Sequence, residues 1–328
     1  MADNDVTTAV TLECRFCNTK NRVPIERALK DLPAVKCGSC GIGLLRVHGE
    51  PLADVTDDQI AHPFDREALD TLKKIPLAAT IIEKLLGSTI DKLARFRMMA
   101  NAIRVGPKQA PRLWALYLEA AGRLNVDPPP LFIAQTPVIN AWAMGAGQPT
   151  VTVTTALIEH MDDRAICGVL GHELTHVRLG HVTYRTLVIL MLQGALRLLD
   201  VFGLAGMVLK PIQIALYRWY QMSELSADRG ELLTTGSLEQ FVRTQMTLAG
   251  GTARWADDLD VAAFIEQAHE AEAMRDGDLL LWAMELLSSS ERTHPLNVWR
   301  VHHALRWAQS PEFFQALAGK AAPRAISG

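Results

Sequence analysis

Two histidines and a glutamate in one short stretch, His172-Glu173-Leu174-Thr175-His176, are the residues of this chain best suited to chemistry. They read H-E-x-x-H inside a run, Ala165 to Leu179, whose pattern predicts a helix. Residues four apart lie on one face of a helix, one turn above the other. Both imidazoles can therefore reach one metal ion. Glu173 sits beside them, placed to take a proton from water that the metal has acidified. Neutral imidazole is a good ligand for Zn²⁺, and a carboxylate is a sufficient base once the water is acidified.

A hydrolytic zinc site needs three protein ligands and an open position. His181 is near in sequence, but the longer pattern H-E-x-x-H-x-x-G-x-x-H requires Gly and His where this chain has Leu179 and Val182. The better candidate is Glu224, in Ser223-Glu224-Leu225-Ser226-Ala227-Asp228, with Glu224 and Asp228 again four apart on a predicted helix. One carboxylate can bind metal while the other accepts the outer N–H of a ligand histidine, His172 being the nearest match. Such a contact fixes the imidazole tautomer and raises its basicity. A solvated helix face is the bland alternative for this pair.

The order H-E-L-T-H, V-R-L-G-H, E-L-S-A-D, then Thr293-His294-Pro295 and Arg300, resembles the HtpX-like zinc metallopeptidases, which include the CAAX prenyl proteases and belong to the gluzincins. Upstream, Pro130 to Ala134, Asn140 to Gly145 and Val151 to Leu157 are similar to that family's strands before the motif helix. The resemblance spans about Leu113 to Arg306. It implies His172, His176 and Glu224 as zinc ligands and Glu173 as general base. It also implies Asp228 behind the ligands, and His294 and Arg300 near the site, with His294 as candidate donor to the developing oxyanion. The segment Asn140, Ala141, Trp142, Ala143 resembles the edge that pairs with an extended polypeptide substrate. Where family members carry Ser-Arg shortly before the metal-binding Glu, this chain has Tyr220-Gln221, with Arg218 further back.

Cys14-Arg15-Phe16-Cys17 and Cys37-Gly38-Ser39-Cys40 form two C-x-x-C pairs. The spacing reads as a structural zinc ribbon with four cysteine ligands, a second zinc beside the catalytic one. Disulfides are the alternative. The acidic start Met1-Ala2-Asp3-Asn4-Asp5 shows no signal peptide, so a reducing, cytoplasmic compartment is expected. The segment Cys14 to Leu45 is similar to the small zinc domain of some bacterial thioredoxins. Its basic residues are diluted by Glu13, Glu26 and Asp31, and the whole chain carries a net charge of −3, which disfavours nucleic acid. A protein partner or a stability role fits the ribbon better. Cys167 reads as a core residue of the motif helix.

With 328 residues and 49% apolar content the chain can bury a sizeable core. The expected fold is mainly α with a small β-sheet: a ribbon at 1–50, a linker at 51–63, and a zincin-type domain at 64–328. Asp65 is expected to cap a helix through Leu69, Leu72 and Ile75, with further helices near 81–103 and 109–124. Residues 186–217 are apolar but interrupted by Arg197, Asp200 and Lys210, too short for spanning helices. They read as a core or lid hairpin, with peripheral membrane contact, at the inner membrane face, as the second reading. The functional expectation is a zinc endopeptidase acting on unfolded or damaged polypeptides. Its alternative is a latent or non-catalytic chaperone or adaptor whose ribbon recruits a protein. The intact Glu173 favours the enzyme.

Overall fold

Strand β1 (Ala9–Glu13) buries Val10 and Leu12 and exposes Thr11 and Glu13, the period of a strand with one covered face. It pairs antiparallel with β2 (Lys20–Pro24), bringing Leu12 opposite Asn21 and Glu13 opposite Lys20. A computed structural model describes residues 8–47, 49–74, 88–145, 147–192, 209–251, 253–275 and 296–319. After β2 come α1 (Ile25–Lys30), α2 (Asp57–Ile60), α3 (Pro63–Lys73), α4 (Ser88–Asn101), the short β3 (Ile103–Arg104) and α5 (Pro111–Leu124). Strands β4 (Leu131–Ala134), β5 (Ala141–Met144) and β6 (Thr150–Thr154) follow, then α6 (Thr155–His160), α7 (Asp163–Arg178) and α8 (His181–Leu192). The chain continues with α9 (Leu209–Thr235), α10 (Leu238–Ala249), α11 (Val261–Arg275), α12 (Asn297–Ala308) and α13 (Pro311–Ala318). The described residues are thus mainly helical with two small sheets.

The larger sheet has the order β3-β4-β6-β5. β4 and β6 are parallel, while β5 runs antiparallel to β6 and forms one edge. Every residue of β6 is buried. β6 leads straight into α6, whose first turn is capped by Thr154 Oγ1 accepting from Leu157 N at 3.1 Å. Asp162 then caps the motif helix α7, its Oδ1 accepting from Ala165 N at 2.8 Å.

The residues expected to form a linker are packed down: Leu52 and Ile60 are fully buried and Val55 nearly so. Three arginines tie this segment to the helices. Arg46 donates to Leu317 O (3.2 Å) and Ala316 O (2.9 Å) of α13 and pairs with Asp54. Arg123, fully buried on α5, donates to Leu233 O (2.9 Å), Glu50 O (2.7 Å) and Arg46 O. Arg178, ending α7, donates to Leu124 O (2.8 Å) and Val55 O and pairs with Asp57.

Asp65 is not the cap of α3. His62 caps it, Nδ1 accepting from Phe64 N at 3.1 Å, and Pro63 occupies the first turn. Asp65 instead points inward and is buried. The helix expected near 81–103 is described from Ser88, and residues 75–87 lie outside the described segments. Of the apolar 186–217 segment, 186–192 continue α8 and 209–217 open α9, with Val188 and Leu216 in a buried cluster around Trp219. Residues 193–208, where the turn of a hairpin would fall, lie outside the described residues. Among the described residues no helix is long and apolar enough to cross a membrane.

Helices α7 and α9 cross at very short range, and two glycines permit it. A Cβ built on Gly171 of α7 would overlap the Thr234 side chain, and one on Gly230 of α9 would overlap Thr175. Each threonine turns its hydroxyl back to its own helix: Thr175 Oγ1 donates to Gly171 O and Thr234 Oγ1 to Gly230 O, both at 2.8 Å. The space that a side chain would take at each glycine is thus filled by a threonine, whose hydroxyl comes nearest and is satisfied within its own helix. Gly171→Ala and Gly230→Ala should each destabilise the protein by about 1–3 kcal/mol, the usual cost of an added methyl in a filled core, measurable by urea unfolding.

Candidate active site

The motif helix is buried without interruption from Ala165 to His176, so its functional face looks onto another helix rather than onto water. His172 and His176 stack one turn apart, ring centroids 5.0 Å apart and tilted by 74°. Their Nε2 atoms are 3.3 Å apart. From α9, Glu224 brings Oε2 to 3.3 Å of His172 Nε2 and Oε1 to 3.4 Å of His176 Nε2. All three side chains are buried. A tetrahedral ion with bonds of about 2.0–2.1 Å holds its ligands roughly 3.3–3.4 Å apart, so the two imidazole nitrogens stand at the spacing such an ion requires, with one Glu224 oxygen at that distance from each. Two neutral imidazole lone pairs facing a carboxylate repel one another unless a proton or a cation lies between them. The donor set thus fits a metal ion.

Glu173 is fully buried on the same helix, within the field of Arg185 and close to Tyr117 and Tyr220. Asp228, one turn after Glu224, lies with Oδ1 3.3 Å from His172 Nδ1. Arg300 of α12 clamps Asp228 in a fork, Nε donating to Oδ2 at 2.8 Å and Nη2 to Oδ1, while its Nη1 stands 3.3 Å from Glu224 Oε2. Asn140, Ala141, Trp142 and Ala143 lie at and in β5, the sheet edge that packs against α7 and α8. His294 lies outside the described residues.

Charged groups not anticipated from the sequence complete the surroundings. Arg185 of α8, fully buried, pairs with Glu224 Oε1, and its guanidinium lies 4.9 Å over the Tyr220 ring. Arg185 thus supplies a cation beside the Glu224 carboxylate, while Arg218 is exposed. A lone arginine in the otherwise apolar run after His181 was the available signal. Glu231 lies with Oε2 3.9 Å from His172 Nδ1 and receives Gln245 Nε2 at 3.4 Å. Its spacing of four and then three residues after Glu224 and Asp228 marks one helix face and was legible. His181, rejected as a ligand by its spacing, lies behind His176 and contacts Asp65.

The environment splits the titrations. Burial lowers the pKa of His172, but hydrogen bonding to Asp228 and Glu224 outweighs it and lifts the value to about 9. Burial and the Arg185 charge hold His176 well below the ordinary histidine range. Burial pushes the Asp228 carboxyl up, and Arg300 overrides it and keeps the group ionised. Glu231 has no such clamp, and burial raises it to about 8.

The chain belongs to peptidase family M48, which it matches over residues 107–308. It is 32% identical over 262 residues to "Plastoglobule-localized metallopeptidase 48, chloroplastic" of Arabidopsis thaliana, covering 79% of this chain and 75% of that protein. It is 30% identical over 189 residues to a "Protease HtpX homolog" of Moorella thermoacetica, 50% of this chain and 62% of that one. A "Protease HtpX homolog" of Streptococcus pyogenes is 35% identical over 82 residues, 24% and 28% of the two chains. No solved structure matches the chain.

Arg185→Met should destabilise the metal-free protein by about 3–5 kcal/mol in urea unfolding, since it leaves the Glu224 carboxylate buried without that partner. The loss should shrink when metal is bound, because a cation then faces the same carboxylate. A Glu whose pKa rises from 4.5 in the unfolded chain to about 8 in the folded one binds more protons when folded. Its contribution to stability is therefore lost as pH rises through that window. Relative to Glu231→Gln, the metal-free parent should lose stability steadily between about pH 5 and pH 8, as read from unfolding midpoints across pH.

Proposed function

We propose that the chain is a zinc-dependent endopeptidase that hydrolyses peptide bonds of unfolded or damaged proteins. The observation that carries this reading is the pair of imidazole nitrogens, His172 Nε2 and His176 Nε2, 3.3 Å apart, with one carboxylate oxygen of Glu224 3.3 Å from the first and the other 3.4 Å from the second, and Glu173 adjoining. Zinc bound there supplies Lewis acidity, which acidifies water and polarises a carbonyl. Glu173 accepts the proton from the attacking water and returns it to the leaving amine. Its burial suits that role, because a shielded carboxylate transfers a proton without first shedding solvent. Asp228, held by Arg300, accepts the outer N–H of His172 and keeps Nε2 turned to the metal. Edge strand β5, from Asn140 through Ala143, presents backbone to an extended substrate, which is bound as an added strand without regard to its sequence. His294, placed near the site by the family resemblance, is our candidate donor to the oxyanion.

In the ribbon, Cys14 and Cys40 Sγ are 3.7 Å apart and Cys17 and Cys37 Sγ 3.6 Å apart. Zinc–thiolate bonds of about 2.3 Å arranged tetrahedrally give a similar spacing, and we assign this cluster a second, structural zinc. Gly38 N donates to Asn21 Oδ1 at 2.9 Å, and Asn21 Nδ2 lies 3.6 Å from Cys37 Sγ, so β2 braces the second knuckle. We assign the ribbon to contact with a protein partner. We infer a cytoplasmic position, with peripheral membrane contact through 186–217 as the reading second to a core or lid hairpin; the plant relative is named for its place at plastoglobules.

The test is cleavage of casein by the zinc-loaded chain beside its Glu173→Gln variant, with zinc content measured for both. Cleavage should fall by at least about 10²-fold in the variant while both zincs remain. Equal cleavage by both would overturn the role of Glu173.

A further inference from the structure

His176 has a backing of its own, which reaches outside the peptidase segment. Its Nδ1 lies 3.0 Å from Nδ1 of His181, the first residue of α8. His181 Nε2 lies 3.1 Å from Asp65 Oδ2 on α3. That oxygen also accepts Ser226 Oγ from α9 at 2.5 Å, and Ser226 Oγ in turn accepts His62 N at 2.9 Å. His181 and Asp65 are both buried, and the His181 ring stands edge-on to Trp219, centroids 5.5 Å apart and planes at 86°. Neither imidazole of the series is free to turn.

The hydrogen positions follow from the two ends. A neutral His176 with Nε2 turned to the metal carries its proton on Nδ1. That proton has one acceptor in line, the lone pair of His181 Nδ1. His181 must then carry its own proton on Nε2, where Asp65 accepts it. Each donor leaves the next group one tautomer, and the carboxylate closes the series.

We propose that His181 and Asp65 are positioning residues for metal ligand His176, and that the metallopeptidase site is completed from α3, outside the family-matched residues 107–308. His172 is oriented by a carboxylate one contact away, from its own peptidase segment, and His176 by a carboxylate two contacts away, from the segment that leads out of the ribbon. This inference rests on the metal-binding reading of His172, His176 and Glu224.

The experiment measures zinc affinity of the full chain by chelator competition, with Glu224→Ala marking the signal of the cysteine cluster alone. Asp65→Asn and His181→Asn should each weaken the Glu224-dependent site about 10–100-fold. They should also shift the visible absorption of its cobalt(II) form, taken as a difference against Glu224→Ala, while Tm stays near that of the parent. Asp65→Glu, which restores a carboxylate, should recover most of the affinity. Parental affinity and cobalt absorption in both folded variants would overturn the proposal. So would a loss that merely tracks a fall in Tm and is not recovered by Asp65→Glu. Should Asp65→Asn not fold, His181→Asn decides on the same readings. A parent whose zinc content does not change with Glu224→Ala would instead overturn the metal-site reading itself, a separable result.

Discussion

The close crossing of α7 and α9 is the constraint on which the rest depends. The two ligand histidines sit on one helix, Glu224 and Asp228 on the other, and donor atoms about 3.3 Å apart require the two backbones to run almost in contact. Gly171 and Gly230 remove the side chains that would hold the helices apart, and Thr234 and Thr175 fill the space, their hydroxyls satisfied within their own helices. A glycine in mid-helix costs about 1 kcal/mol of helix propensity relative to alanine. That cost is borne at the two positions where proximity cannot be had otherwise.

Burying Glu173, Glu224, Asp228, Glu231 and Asp65 together is unfavourable unless the charge is answered. The fold answers it in different ways. Arg185 and Arg300 approach Glu224 from opposite oxygens, and Arg300 also holds Asp228. Glu231, left to burial, holds its proton to about pH 8. A metal ion held by His172, His176 and Glu224 would answer what remains. Metal binding and the stability of this core are therefore linked quantities: an ion that binds only the folded chain stabilises it by mass action.

Around this centre the segment between ribbon and peptidase acts as a girdle. Arg46, Arg123 and Arg178 spend most of their donors on backbone carbonyls of distant elements, which fixes residues 46–57 against α5, α7, α9 and α13. That packing carries α3 to the flank of α8 and α9, where Asp65 meets His181 and Ser226. The ribbon is joined to the same framework by the contact of β1 with α13.

The sequence by itself determined what is local. H-E-x-x-H at helical spacing, E-x-x-x-D on a second helix, and paired C-x-x-C knuckles each carry their chemistry within a few residues, so the donor sets were legible without coordinates. The edge-strand position of Asn140 to Ala143 and the place of Arg300 beside Asp228 and Glu224 agree with what the family resemblance implied. Asp65 was misread as a helix cap, because an acid in a first turn looks the same from the sequence whether it serves its own helix or faces inward. Arg185 carried no motif, His181 closed the V-R-L-G-H stretch with no role attached to it, and their partners lie 39 and 116 residues away, as the Arg185–Glu224 and His181–Asp65 contacts show. Only the tertiary structure decided which buried charges face one another. Coulomb pairing and hydrogen bonding act through distances of a few ångströms in space, and separation along the chain says nothing about those distances until the helices are packed.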